Sequence, residues 1–241
     1  MKGDTASTES RQGIGDDFEG PGYCFFNDDR FCTPTLAVAG DFLVVICEEH
    51  YMVNKSRING SMIMMKYVEY NASTWMQELL RDNGGAWGTS IPFNHLTKAN
   101  YTFAVGPAAV SAEKNLYLFY GAYQKTQKPW TQPRDRSYWD PFVTVAVTER
   151  PDGLKGLWLT NSVNLKSRIE DQLDGGNLIQ LIGGGGAGIM YAPGIPVYPM
   201  QATNKNGKVV SLIMHSVQHR FNWSLSEGTS DEGCTTPTVV D

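Results

Sequence analysis

The sequence contains few of the residues that build metal sites or bind nucleic acid. Only four histidines and four cysteines occur among its 241 residues, and the cysteines do not form the C-x-x-C pairs that are typical of zinc sites. Acidic residues outnumber basic ones, 25 to 20, which gives a net charge of −5. Nucleic-acid binders usually carry a basic patch or stripe, and this composition supplies no basic excess. We therefore expect no metal ion, no cofactor and no nucleic-acid partner.

Long apolar runs are also absent. The longer apolar stretches, such as residues 42–47, fall far short of the ~18 residues that suggest a membrane span. We expect no membrane span in this chain. The first ten residues are polar and lack the apolar centre of a signal peptide, so we expect that the natural start of the protein lies upstream.

Glycosylation sequons point to the secretory route. A sequon is used only on the surface of a protein that enters the secretory pathway. The pattern N-x-[ST] occurs at Asn54, Asn59, Asn71, Asn100 and Asn222. We expect a secreted or cell-surface glycoprotein.

The cysteines leave two alternatives open. Four cysteines permit two disulfides in three connectivities, whereas a reduced chain would bury them as small apolar residues. They are Cys24, Cys32, Cys47 and Cys234. We favour at least one disulfide, with the pairing open.

From residue 33 onward the sequence alternates short apolar runs with turn residues. Residues 35–46 have the length and turn chemistry of an antiparallel hairpin around Gly40. The same pattern returns over residues 108–120 and again near Val197 and Leu212. Such repetition predicts an all-β fold and favours a propeller over a single sandwich.

Helical signals and linker signals are each confined to one place. Leu165, Ile169 and Leu173 lie at helical spacing before a glycine pair, which predicts one short turn of helix. Residues 1–30 are rich in glycine, acidic and hydroxyl residues and are interpreted as a flexible lead-in. The chain stops inside an apparent strand, so we expect a fragment.

Two motifs have weak chemical interpretations. The glycine run over residues 183–188 formally satisfies GxGxxG, but Pro193 and Gly194 follow where a dinucleotide site needs a helix. We interpret the run as a tight turn between blades. His215 and His219 form HxxxH without the zincin glutamate, and strand-like flanks argue against a metal site.

Two features could belong to a binding site. Glu48 and Glu49 directly follow an apolar strand, and since consecutive side chains face opposite ways, one carboxylate would point into a cleft. The alternative is a solvated strand end. Aromatic residues interleaved with cations could stack on sugars or form core; they are Tyr120, Tyr123, Trp130, Tyr138 and Trp139.

Several segments taken in order resemble the trypanosome trans-sialidase superfamily. Residues 233–241 resemble its Gly-Cys-Ser-Glu/Asp-Pro segment, and Phe31-Cys32-Thr33-Pro34 stands where the family has Phe-Arg-x-Pro. Further similar segments are 116–123, 197–205, Thr74-Trp75 and Asn222-Trp223, the last two resembling eroded Asp boxes. The resemblance spans residues 31–241. It implies a six-bladed sialidase-like β-propeller, of which the chain covers about the first three to four blades.

The resemblance also implies a chemistry. Family enzymes remove sialic acid with a tyrosine nucleophile that a glutamate activates, an aspartate as acid/base catalyst, and three arginines on the sugar carboxylate. A neutral tyrosine suits an anionic substrate, and guanidinium pairs bidentately with carboxylate.

Carried over position by position, the catalytic pattern is incomplete. The first arginine falls on Cys32, the acid/base aspartate on Glu48, a second aspartate on Gly106, and the activating glutamate on Thr236. Arg30 lies two residues before Cys32, hence on the same strand face about 7 Å away, and could partly substitute for the lost arginine. The pocket positions that match are Val105, Trp130 and Gln201.

These positions favour a surface glycoprotein with a degenerate catalytic site that binds sialylated or other host glycans or ligands. One alternative is an active sialidase or trans-sialidase with a rearranged site built on Glu48, Arg30 and residues downstream of this sequence. Another is an inert coat protein or a gene fragment.

Overall fold

A computed structural model describes residues 35–53, 57–70, 73–80, 89–90, 101–124, 139–175, 177–184, 186–217, 222–234 and 237. Within them nearly every regular element is a strand, which confirms the all-β prediction. The strands form one nine-stranded and one five-stranded sheet. No helix in these ranges is both long and apolar enough to cross a membrane.

The elements in chain order are β1 (Thr35–Ala39), β2 (Phe42–Val53), β3 (Arg57–Glu69), α1 (Trp75–Leu80), β4 (Thr89–Ser90), β5 (Tyr101–Ala112), β6 (Asn115–Gln124), β7 (Trp139–Glu149), β8 (Lys155–Leu159), β9 (Val163–Asn164), α2 (Lys166–Gly175), β10 (Leu178–Gly183), β11 (Ile189–Ala192), β12 (Ile195–Asn204), β13 (Val209–Val217) and β14 (Asn222–Leu225).

Antiparallel pairing divides the fourteen strands into three groups, each with four main strands, and two of the groups have a short fifth strand. The first is β1-β2-β3-β4, the second β5-β6-β7-β8 with β9 beside β7, and the third β10-β12-β13-β14 with β11 beside β12. The first two groups meet through a parallel pairing, with Ser61 opposite Phe103. Repeated four-stranded groups are the blades of a β-propeller, so the described strands supply three blades.

The first hairpin lies where the turn chemistry predicts it. Thr35 pairs with Ile46 and Ala39 with Phe42, and Gly40 makes the turn at a φ of 53°, in the left-handed region that favours glycine. The strand β1 alternates buried and exposed side chains, as a strand with one face in the core does.

Helix α2 is longer than the single turn expected from the sequence. It runs for ten residues, with Leu165, Ile169 and Leu173 buried on one side. The backbone N–H of Lys166 donates to Asn164 Oδ1 over 2.8 Å, which satisfies one of the free donors at the helix start. The short helix α1 was not predicted, because six residues are too few to establish a helical period.

Two hydrophobic clusters join the three groups. One contains Ile46, Ile63 and Leu118 and lies between the first and second groups. The other contains Phe119 and Tyr198 and joins the second group to the third and to α2. Because β6 sends alternate side chains into each cluster, the second group is packed on both faces, as an internal blade is.

Tyr120 is a buried phenol within the first of these clusters. Its hydroxyl donates to Ser162 Oγ over 2.8 Å, and its ring stacks on Phe142 at 5.6 Å between centroids. Burial raises the pKa of Tyr120 to about 12, from an ordinary value of 10.0.

Alkaline pH should therefore destabilise the protein in a specific window. Between pH 10.0 and about 12 the unfolded chain loses the Tyr120 proton while the folded chain keeps it, so the free energy of unfolding falls as pH rises, by up to about 3 kcal/mol. Below pH 10.0 the stabilisation from the buried Tyr120 phenol is fully present. Denaturant titrations across this window should show a shallower fall for Tyr120→Phe than for the wild type. Ser162→Ala keeps the phenol and should show a fall at least as large as that of the wild type, because the hydrogen bond to Ser162 lowers the pKa of Tyr120; equal slopes in Tyr120→Phe and the wild type would refute this assignment.

Candidate functional site

The candidate site is built around a buried carboxylate on β2. Glu48 is 8% exposed, and its Oε2 accepts a hydrogen bond from the backbone N–H of Gly106 over 2.8 Å. Gly106 lies in β5 where the register to β6 shifts between Val105 and Ala108. Two of the positions carried over from the family pattern are thus in direct contact. The interpretation of Glu48 as a solvated strand end is wrong, because the side chain is enclosed between two blades.

Gly106 is a position at which a side chain would be crowded. Its φ is 59°, a conformation that side chains with a Cβ rarely adopt. A Cβ built there would lie 3.0 Å from both Gly183 N and Ile182 Cβ, and 3.1 Å from Gly183 O. Backbone atoms form two of these three contacts, so no side-chain rotation relieves them. An aspartate at the position where the family pattern places one would therefore be strained and crowded in this backbone.

The glycine run at the end of β10 packs closely against Gly106 of β5. A Cβ on Gly183 would lie 2.1 Å from Gly106 O, and one on Gly188 would lie 2.2 Å from Val197 O. The Gly188 N–H donates to Ala109 O over 2.7 Å. The run connects β10 and β11, which both pair with β12. Its interpretation as a turn between blades is therefore wrong: it lies within one blade and allows that blade to approach β5 closely.

Buried aromatic residues lie on the neighbouring strands of the second blade. Tyr123 and Trp139 are cross-strand partners on β6 and β7, and they are 0% and 1% exposed. Burial raises the pKa of Tyr123 well above its ordinary value, and the charge of Glu48 raises it further. Tyr120 is likewise buried. For these three residues the core alternative is correct, since their rings lie inside the blades and offer no surface for stacking on a sugar.

Two predicted pocket residues lie beside the same contact. Val105 precedes Gly106 and is 4% exposed, with its side chain in the core. Gln201 is half-buried on β12, opposite Ile182 of β10 and Ser211 of β13. Since Ile182 is the side chain that a Cβ at Gly106 would meet, the fold brings Glu48, Gly106 and the strand pair carrying Gln201 together.

Five other predicted site residues lie outside the described residues: Arg30, Cys32, Trp130, Tyr138 and Thr236. Their roles stay predictions. Cys24 lies outside as well, while Cys47 is buried in β2 and Cys234 carries an exposed free thiol, so the disulfide prediction remains untested for the Cys24 and Cys32 pair. Within the described ranges no three histidine, cysteine, aspartate or glutamate side chains cluster in a way that could hold a metal ion.

Sequence reasoning did not find the contact of Gly106 with Gly183 or the hydrogen bond from Gly106 to Glu48. The only available signal was the concentration of glycines at residues 183–188, which indicates close backbone approach but not to which strand.

Comparisons with known proteins agree with this architecture. A family model described as a BNR repeat-like domain matches residues 33–241. A sialidase of Trypanosoma cruzi is 30% identical over 166 residues, covering 66% of this chain and 14% of the relative. Sialidase 85-1.1 of the same organism is 23% identical over 222 residues, covering 88% of this chain and 29% of the relative.

A solved structure shows the same fold. The sialidase of Trypanosoma rangeli in complex with sialic acid superimposes with a TM-score of 0.64 at 23% sequence identity, over 87% of this chain and 32% of its own. The chain thus spans less than a third of either curated relative and about a third of this solved chain. With a matched family model over most of its length and three blades of a sialidase-like β-propeller, the chain belongs to the BNR repeat-like domain family and to the trypanosome sialidase/trans-sialidase superfamily.

Proposed function

We propose that this chain belongs to a secreted or cell-surface glycoprotein that binds sialylated or other host glycans through a degenerate sialidase site, without efficient turnover. The proposal covers the whole protein, of which the chain supplies three blades. Sialic acid is bound by the Trypanosoma rangeli sialidase with the same fold, which makes sialylated glycans the first ligand class to test here.

The backbone conformation and the packing of Gly106 are the main support for the loss of turnover. Gly106 carries no carboxylate, and the backbone disfavours a side chain there because of its φ and its contact with Gly183. In the family pattern the aspartate at this position holds polar substituents of the sugar, and removing one such stabilising contact typically lowers a rate by about 10²–10³. The replacements at Cys32 and Thr236 act in the same direction, although such losses do not simply add.

Glu48 stands at the position of the acid/base aspartate, and its carboxylate has a structural contact. Its Oε2 is engaged by the Gly106 amide over 2.8 Å, and its side chain is 8% exposed. In this position the carboxylate satisfies an amide of the bulged strand β5. We therefore propose that Glu48 holds β2 against β5. A catalytic acid would instead have to contact the bond that breaks.

A glycan array tests the binding half of the proposal. The full-length product should bind a subset of sialylated glycans and lose that binding when the array is treated with sialidase. Gln201→Ala should weaken binding about 10-fold, which is the effect expected when one hydrogen bond to the ligand is lost. Lys205→Ala is the matched control, since Lys205 is exposed in the turn after the same strand. No binding to any glycan, sialylated or not, would reject the proposal and favour an inert coat protein.

A further inference from the structure

Asn222 presents a glycosylation sequon on the outside of the third blade. It is the first residue of β14 and is exposed. Trp223 is 5% exposed and packs on Tyr198 with 5.9 Å between ring centroids. Because side chains alternate along a strand, Asn222 and Ser224 point away from this core. Ser224 is half-buried. The acceptor amide and the hydroxyl of the sequon therefore face outward on the same side.

The strand that carries this sequon lies at the end of its sheet. On the inner side Asn222 pairs with Val217 and Ser224 with His215. On the outer side the amide of Gln172 replaces a neighbouring strand: Leu225 N–H donates to Gln172 Oε1 over 2.8 Å, and Gln172 Nε2 donates to the Trp223 carbonyl over 2.9 Å. The backbone at the sequon is thus fixed by β13 and α2, and an attached glycan disturbs neither set of bonds.

The sequon at Asn59 has a different environment. Its hydroxyl residue, Ser61, is 0% exposed, and Ser61 Oγ donates to the Ala104 carbonyl over 2.8 Å. This bond lies at the junction of β3 and β5, where the first two blades meet. Folding therefore buries the hydroxyl of this sequon. Asn54, Asn71 and Asn100 lie outside the described residues.

We propose that Asn222 is an N-glycan acceptor in the secreted protein and that Asn59 is left unmodified. The donor is a polyprenyl-pyrophosphate-linked oligosaccharide. The Asn222 amide nitrogen forms a bond to the anomeric carbon of the first sugar, the bond from that carbon to the pyrophosphate oxygen breaks, the polyprenyl pyrophosphate leaves, and the amide loses one proton. The assignment rests on the secretory location proposed above.

Site-resolved mass spectrometry tests the assignment. The full-length product is expressed behind a secretion signal in a eukaryotic host, and glycans are released by a peptide amidase in heavy-oxygen water, which converts each modified asparagine to labelled aspartate. The peptide containing Asn222 should carry the label and the peptide containing Asn59 should not. Asn222→Gln and Ser224→Ala should each remove the mass of one glycan, while Ser224→Thr, which keeps the sequon, should retain it.

Asn59→Gln is the matched control and should leave the glycan mass unchanged. An unlabelled Asn222 in secreted wild-type protein would overturn the assignment, and a labelled Asn59 would overturn its second half. The wild-type peptides decide both points even if a variant fails to fold. Glycan binding is measured on the same preparation, so that a bare Asn222 in a protein that binds glycans rejects only this inference, and labelled Asn222 in a non-binding protein rejects only the proposed function.

Discussion

Gly183→Ala is expected to destabilise the full-length protein by at least about 3 kcal/mol, because overpacking against rigid backbone exceeds the ordinary cost of an added methyl group. The new Cβ would lie 2.1 Å from Gly106 O and 2.9 Å from Ala108 Cβ. Neither atom is the end of a flexible side chain, so the third blade must move away from β5. The measurement is the denaturant midpoint of the domain, or the yield of soluble protein if the variant does not fold.

Gly228→Ala provides the control for this substitution. A Cβ at Gly228 meets no atom within 4 Å, and its φ is not in the left-handed region. Its midpoint should lie close to that of the wild type. If both variants had the wild-type midpoint, the close approach of the glycine run to β5 would be wrong.

Gly106→Asp is expected to cost about 2–4 kcal/mol and to leave turnover as low as in the wild type. An aspartate at positive φ costs roughly 1 kcal/mol, and overpacking against Gly183 and Ile182 adds about 1–3 kcal/mol. The substitution restores the residue that the family pattern places there, yet its Cβ would be crowded by Gly183 and Ile182. Thermal unfolding and release of a fluorogenic sialoside are both measured.

Gly153→Asp separates the cost of the positive φ from the cost of overpacking. Gly153 also has a positive φ, 80°, but a Cβ there meets nothing within 4 Å, so this variant should show the backbone cost alone. A Gly106→Asp protein that is no less stable than Gly153→Asp, or that gains sialic acid release, would contradict the packing of Gly106.

Local signals in the sequence predicted the elements that depend on neighbouring residues. The hairpin β1-β2 follows from its apolar runs and from Gly40, whose left-handed φ a tight turn requires. Helix α2 follows from the apolar spacing of Leu165, Ile169 and Leu173, and its length was underestimated because its exposed face carries no periodic signal. The repeated hairpins were enough to favour a propeller.

The site depends on contacts between distant segments, which a single sequence does not specify. Glu48 could equally have been a solvated strand end, and its burial is decided by which face of β2 packs on β5. Tyr120, Tyr123 and Trp139 have the composition of a sugar-stacking surface, but they are buried because β6 and β7 lie between two other blades. The glycine run signalled close approach without identifying Gly106 as its partner.

The central claim, a sialidase fold whose site binds without efficient turnover, is tested most directly by measuring sialic acid release from a fluorogenic sialoside. The purified full-length product is compared with an active trypanosome sialidase under the same conditions. The account predicts release at least about 10²-fold slower than that of the active enzyme, from a protein that still binds glycans. Release at a rate comparable to that of the active sialidase would contradict it and favour a rearranged catalytic site.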